Sequence, residues 1–146
     1  MRVITTNVIL LTMLFTIGCN NNKINNNLSP MKAIEKSAES APATVSGVFE
    51  MTIKSTECKQ RMEFLHSETD NQDQRNLTVA LRPNAVKELT DKYGINPEQY
   101  FLGKRIKVNG EAKRTKEWVF YKNKNTRKYF YQTKIFVMSA DQVTVL

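Results

Sequence analysis

The sequence predicts a small, mainly β domain, a closed barrel of five strands with one helix inserted between the third and the fourth. Three observations predict it. Apolar residues recur at a spacing of two through most of the chain after Thr44. A single stretch beginning at Pro83 switches to helical spacing. Strands in that order also remove their exposed edges by closing on themselves.

The elements follow in turn. Val45, Phe49, Met51 and Ile53 fall on one face and Ser46, Glu50, Thr52 and Lys54 on the other, the pattern of a half-buried strand. Gln60 to His66 places Met62 and Phe64 in the same register, and Asn76 to Arg82 turns Leu77, Val79 and Leu81 inward. From Pro83 to Gly94, Val86, Leu89 and Tyr93 stand at helical spacing between a proline start and a glycine stop. Asn96 to Phe101 reads as a short turn that drops an aromatic pair onto the core. Lys104 to Ala112 and Tyr129 to Val137 are the fourth and fifth strands, and Gln142 to Leu146 closes the chain.

The order β-β-β-α-β-β is that of an OB-fold. Phe101-Leu102-Gly103-Lys104-Arg105-Ile106-Lys107-Val108-Asn109-Gly110 and the closing Asp141-Gln142-Val143-Thr144-Val145-Leu146 resemble small bacterial exported OB-fold proteins, in which such segments recur. The resemblance covers Thr44 to the end and implies barrel packing, with Gly110 at a bulge or bend between sheets. It implies no function. The same element order also fits an open antiparallel sheet with the helix on one face.

Residues 1–43 read differently. Met1-Arg2 supplies a positive start, and Val8 to Phe15 is an apolar run of signal-peptide length, too short to span a bilayer, which needs about 20 apolar residues. Phe15-Thr16-Ile17-Gly18-Cys19 resembles the lipobox of bacterial lipoproteins, with Thr16 where Leu is commoner. The resemblance implies cleavage after Gly18, lipid on the Cys19 thiol, and anchoring to the cell membrane, since each buried methylene contributes about 0.8 kcal/mol. Asn20 is not the Asp that retains such proteins at the inner membrane of a Gram-negative cell, which implies the outer membrane in such a host. The expected division is therefore a signal peptide at 1–18, a lipidated cysteine with a polar tether at 19–43, and a domain at 44–146. The tether is Asn-, Ser-, Ala- and Lys-rich, a composition that buries little apolar surface. Within it, Ser29 and Pro30 mark a possible helix start.

Charge points to partners. Among 146 residues, 22 Lys and Arg against 14 Asp and Glu leave a net charge of +8, which attracts anions at long range. The positive residues concentrate between the fourth and fifth strands, where Lys113, Arg114, Lys116, Lys122, Lys124, Arg127 and Lys128 interleave with Trp118, Phe120, Tyr121, Tyr129 and Tyr131. Cations that follow a phosphate backbone, with aromatic faces beside them, are the ingredients of sequence-tolerant polyanion or single-strand binding. Lys113, Arg114, Lys116, Trp118, Tyr121, Arg127, Lys128 and Tyr131 are the candidate ligand-binding residues. The competing reading is a solvated hairpin whose aromatics pack across strands.

Enzyme chemistry finds little footing. His66, the sole histidine, is expected in a surface turn near Glu68, Asp70 and Asp73, without the rigid ligand spacing of a metal site. Cys58 lacks any recognisable third group that would make a Cys58–His66 pair a nucleophile. With two cysteines, one of them committed to lipid, a disulfide framework is excluded. No cofactor is expected. The leading expectation is a non-enzymatic, membrane-tethered binding module for an anionic polymer, a lipid headgroup or an envelope protein. A structural lipoprotein that docks one envelope protein, and a single-strand nucleic-acid binder, are the alternatives.

Overall fold

The computed structural model describes residues 26–146. The expected signal peptide and the expected lipidation of Cys19 fall outside the described residues. A helix α1 (Pro30–Ser40) precedes strands β1 (Val45–Thr52), β2 (Ser55–Lys59), β3 (Met62–His66) and β4 (Leu77–Leu81). Helices α2 (Pro83–Tyr93) and α3 (Pro97–Phe101) follow, and then β5 (Arg105–Tyr121), β6 (Lys124–Val137) and β7 (Val143–Val145). The protein is mainly β, with seven strands in one sheet and three α-helices where five strands and one helix were expected.

The strands hydrogen-bond in the order β1-β5-β6-β4-β3-β2, with β7 on β5. The first and last strands of that path are consecutive in the chain, joined by Ile53 and Lys54 alone. The expected first strand is thus broken in two at this joint, and its halves pair with different partners. Ile53 donates to Lys104 O and accepts from Gly103 N–H, while Lys54 donates to His66 O, so backbone bonds continue through the break. The sheet curls because the inward rows of β1, β3, β4, β5 and β6 all reach one cluster. Phe49, Leu65, Val79, Val108 and Ile135 are each fully buried there, an arrangement that a flat sheet does not allow.

The helices cover this cluster. Pro83 opens α2, and Gly94 ends it in the left-handed region at φ 78°, donating to Thr90 O, as the Pro and Gly positions predict. Leu89 and Ala85 of α2 and Phe101 of α3 are buried against the sheet. Tyr93, Tyr100 and Phe101 stack and cross as an aromatic group at the junction of the two helices.

Two expectations about the ends of the domain are corrected. Residues 28–40 are part of the folded domain. Leu28 bridges to Phe49 along the free edge of β1, and α1 lays Ala33 and Ser37 fully buried against the sheet. Composition hid this because the buried face of α1 is made of small residues, which let the helix sit close without branched side chains. Gly110 is not at a bulge, since the β1–β5 register runs through it unbroken. A Cβ there would meet Ile135 Cγ2 at 3.1 Å, so glycine is needed for close packing. At this point one edge of β5 passes from β7 to β6.

Phe49 carries the load from both sides, with Leu28 along its strand edge and the core beneath. Phe49→Ala is expected to cost about 3–5 kcal/mol, read as a lower urea midpoint with an unchanged slope.

Candidate functional site

The expected basic loop is a β-ribbon. β5 pairs with β1 only as far as Ala112, and β4 pairs with β6 only from Thr133 onward, so Lys113–Tyr121 and Lys124–Gln132 continue together beyond the rest of the sheet. They join through Lys122 and Asn123, at φ 48° and 60°, a two-residue turn whose twist suits a hairpin. Lys122 holds a conformation that non-glycine residues occupy at a cost, which is why no glycine signal marked the turn. Opposite Val119, the ladder slips between Trp118↔Tyr129 and Phe120↔Asn125. Arg127 sits in this bulge at φ 61°, with Thr126 Oγ1 donating to Val119 O.

Residues directly opposite share a face, so register sorts the candidates. Arg114, Lys116 and Trp118 lie on one face with Tyr131 and Tyr129 across the ladder. This row continues the inward face of Val108, Ala112 and Ile135, and it changes from aliphatic to cationic and aromatic where the ribbon leaves the core. Lys116 Nζ stands 4.4 Å from the Trp118 ring and 3.9 Å from that of Tyr129, and Arg114 Cζ lies 3.9 Å from the Tyr131 ring. The rings meet edge to face, Trp118–Tyr129 at 5.6 Å and Tyr129–Tyr131 at 5.7 Å. Such exposed cation–π contacts contribute about 0.5–1 kcal/mol each, enough to order the side chains and too little to withhold them from an anion.

The other candidates are dispersed. Lys113 faces Lys134 on the opposite side, Tyr121 is exposed at the tip, and Arg127 and Lys128 belong to the bulge region. Among the described residues, no carboxylate lies within ion-pair distance of the ribbon's seven cations. Its one acid, Glu117, is taken by Lys134 at 2.6 Å.

The ribbon's second face carries a feature that the spacing of residues did not reveal. Glu117, Phe130, Gln132 and Lys134 border a cleft of about 320 Å³ together with Glu57 of β2 and Phe64 and His66 of β3. A larger cavity of about 550 Å³ lies elsewhere, beside Asn27 and Arg105, where the polar groups are already paired as Asn27–Glu50 and Lys54–Glu68.

His66 is buried at 3% exposure, not placed in a surface turn. The Oδ1 of Asn76 accepts from Glu68 N–H, which orients the amide so that its Nδ2 donates to His66 Nδ1 at 3.2 Å. Thr78 Oγ1 lies 3.0 Å from the same nitrogen. Asn76 Nδ2 also lies 3.1 Å from Asn71 O and from Thr78 Oγ1. The Thr78 hydroxyl, accepting from the amide, has its own proton to give to Nδ1, which assigns the ring proton to Nε2. That N–H is buried and has no partner, with Glu57 Oε2 4.0 Å away. An unpaired buried donor costs about 1–3 kcal/mol.

The neighbouring carboxylates are engaged otherwise. Glu68 pairs with Lys54, and Arg75 holds the Asp73 carboxyl down to about 2. Asp70 accepts from Gln72 N–H. Cys58 is exposed and faces Glu63 in register, whereas His66 faces Ser55. Cys58 and His66 thus occupy opposite sides of the β2–β3 pair and form no dyad. No group of three potential metal ligands occurs among the described residues, and no helix there is long and apolar enough to cross a membrane.

No family model matches the sequence, and no curated protein does. Among solved structures the chain is similar to a putative aspartyl-tRNA synthetase from Leishmania major Friedlin, 12% identical over 88% of this chain, with a TM-score of 0.45. It is also similar to an aspartyl-tRNA synthetase from Entamoeba histolytica, 14% identical over 75% of this chain, with a TM-score of 0.41. The matches span 22% and 20% of those proteins.

Burial is the main cause holding the His66 pKa below 6.5, with Lys134 adding to it and Glu57 opposing. The folded chain keeps the ring neutral where the unfolded chain takes up a proton. Stability therefore falls as pH drops below about 6.5 and stops falling once the folded ring also protonates. Glu63 acts in the opposite sense, because burial raises its pKa. The difference between wild type and His66→Gln isolates the histidine. Urea midpoints between pH 7.5 and 4.5 are expected to converge toward those of His66→Gln on acidification.

Proposed function

We propose that this chain is a non-enzymatic, lipid-anchored binding module on an OB-fold-like barrel, and that the inward face of its ribbon takes an anionic polymer. The barrel reading rests on the joint at Ile53-Lys54. With β1 and β2 counted as halves of one bent strand, five strands close in a ring, and α2 lies between the third and fourth.

One observation carries the binding role: the ribbon holds seven cations with no carboxylate within ion-pair distance among the described residues, and two of them are ordered on an aromatic ladder. A solvated hairpin needs scattered charge to stay soluble. It does not need Arg114 and Lys116 aligned with Trp118, Tyr129 and Tyr131 along a single face. Because those cations cover the ring faces, the surface on offer is a line of positive charge, which favours a polyanion over bases stacking on bare rings.

The address rests on the Gly18-Cys19 junction. With lipid on Cys19 and the domain beginning by Leu28, eight residues connect them. At about 3.3–3.6 Å per residue they reach roughly 30 Å at most, so the ribbon works close to the membrane surface.

Two measurements test this reading. Mass spectrometry of protein from a bacterial host is expected to find acyl mass on an N-terminal Cys19, with membrane association lost in Cys19→Ser. An unmodified N-terminus refutes the address. Titration of the full chain with inorganic polyphosphate should give an affinity that falls linearly on a log–log plot against salt. Arg114→Ala with Lys116→Ala should flatten that slope by about two, as expected when two charge contacts are lost. A salt-independent affinity, or a slope untouched by the pair, refutes the binding face. Stronger binding to a deoxythymidine oligonucleotide would favour single-strand recognition.

A further inference from the structure

The unpaired donor of His66 lies on the side of the sheet away from the cation ladder, and its surroundings select a different ligand. Its Nε2–H and the Glu57 carboxylate are 4.0 Å apart, beyond direct hydrogen-bond reach. One oxygen placed about 2.8 Å from each completes both, provided that it accepts from the imidazole and donates to the carboxylate. A hydroxyl does both. Carboxylate and carbonyl oxygens have no proton to give, and a phosphate or any other anion there would meet the charge of Glu57.

The remaining lining agrees. Its four charges cancel, Glu57 and Glu117 against Lys59 and Lys134, and Lys134 with Glu117 is already a pair. Phe64 and Phe130 add aromatic surface, and the volume of about 320 Å³ is at the lower end of ligand clefts. Aromatic surface beside a donor–acceptor pair matched to a hydroxyl, in a cleft of no net charge, describes a site for a polyhydroxylated ring.

We propose that this cleft binds a neutral sugar ring, with one hydroxyl seated between His66 Nε2 and Glu57. Nε2 is buried without a partner, and the Glu57 side chain beside it is 46% exposed. This site goes beyond the polyanion reading, because it uses the opposite face and a neutral ligand.

His66 is the sole histidine, so ¹⁵N-histidine labelling of the full chain yields one ring to follow. Neutral tetrasaccharides of glucose and of N-acetylglucosamine are the probes, with polyphosphate and a deoxythymidine oligonucleotide as controls. One of the tetrasaccharides is expected to shift the Nε2–H signal saturably. Glu57→Ala should weaken that binding about tenfold while leaving the rest of the spectrum folded. His66→Gln, which keeps an N–H donor, should retain more affinity than His66→Leu. The proposal falls if no saccharide moves the signal, as when an ordinary water fills the gap. It falls equally if Glu57→Ala binds as well as wild type, or if only the oligonucleotide moves the ring. Polyphosphate binding is read through Arg114 and Lys116 on the other face, so either proposal can fail without the other.

Discussion

The pairing of β5 with β6 is the constraint on which the rest of this structure depends. These two strands are far longer than the partners that flank them, so they serve two purposes along one continuous ladder. Toward Ile106 and Val137 they are walls of the core, and beyond Ala112 and Thr133 they support only each other. Because inward and outward faces persist along a strand, the row that packs the core becomes the row that carries the ribbon's cations and rings. The aliphatic residues end where burial ends, and the cations and rings begin there. A one-residue slip of β5 would exchange its two faces, turning Arg114 and Lys116 toward the side of Lys134 and Glu117 toward that of Tyr129 and Tyr131.

The joint at Ile53-Lys54 is the second determinant. By sending β1 to one end of the hydrogen-bonded path and β2 to the other, it brings Glu57 over β3, next to His66. Had the strand continued straight, Glu57 would lie far from the imidazole, and the cleft would have no wall on that side. The burial of His66 follows from its place between β2 and β4, opposite Ser55 and Thr78 in register. Asn76 and Thr78 occupy one ring nitrogen and leave the other to the cleft.

Much of the fold was legible in the residues. Alternation gave the inward faces of β1 and β4, and Pro83 with Gly94 set the limits of α2. In β3 it turned Met62 and Phe64 inward, whereas the core takes Leu65 and Phe64 borders the outer cleft. The cationic and aromatic residues were found as a group, but only Arg114, Lys116, Trp118 and Tyr131 come together, with Tyr129 completing the row. The alternation of the ribbon went unread because both of its faces are polar or aromatic, which leaves no hydrophobic period to count. The turn at Lys122-Asn123 lacks glycine, and α1 buries alanine and serine, which composition alone assigns to a tether. His66 looked like part of a surface turn because the carboxylates nearest in sequence are not those nearest in space.

The sequence by itself determined what is local: which residues alternate, where a helix starts and stops, and how much positive charge the chain carries. Only the tertiary structure decided what is shared between distant segments: that β1 and β2 part company, that Leu28 and α1 belong to the domain, and that Glu57 stands over a buried, half-satisfied His66. The reason is physical. Spacing and propensity act over a few residues, whereas strand register and burial depend on which segments meet across the sheet, and that is settled by the joint packing of one core.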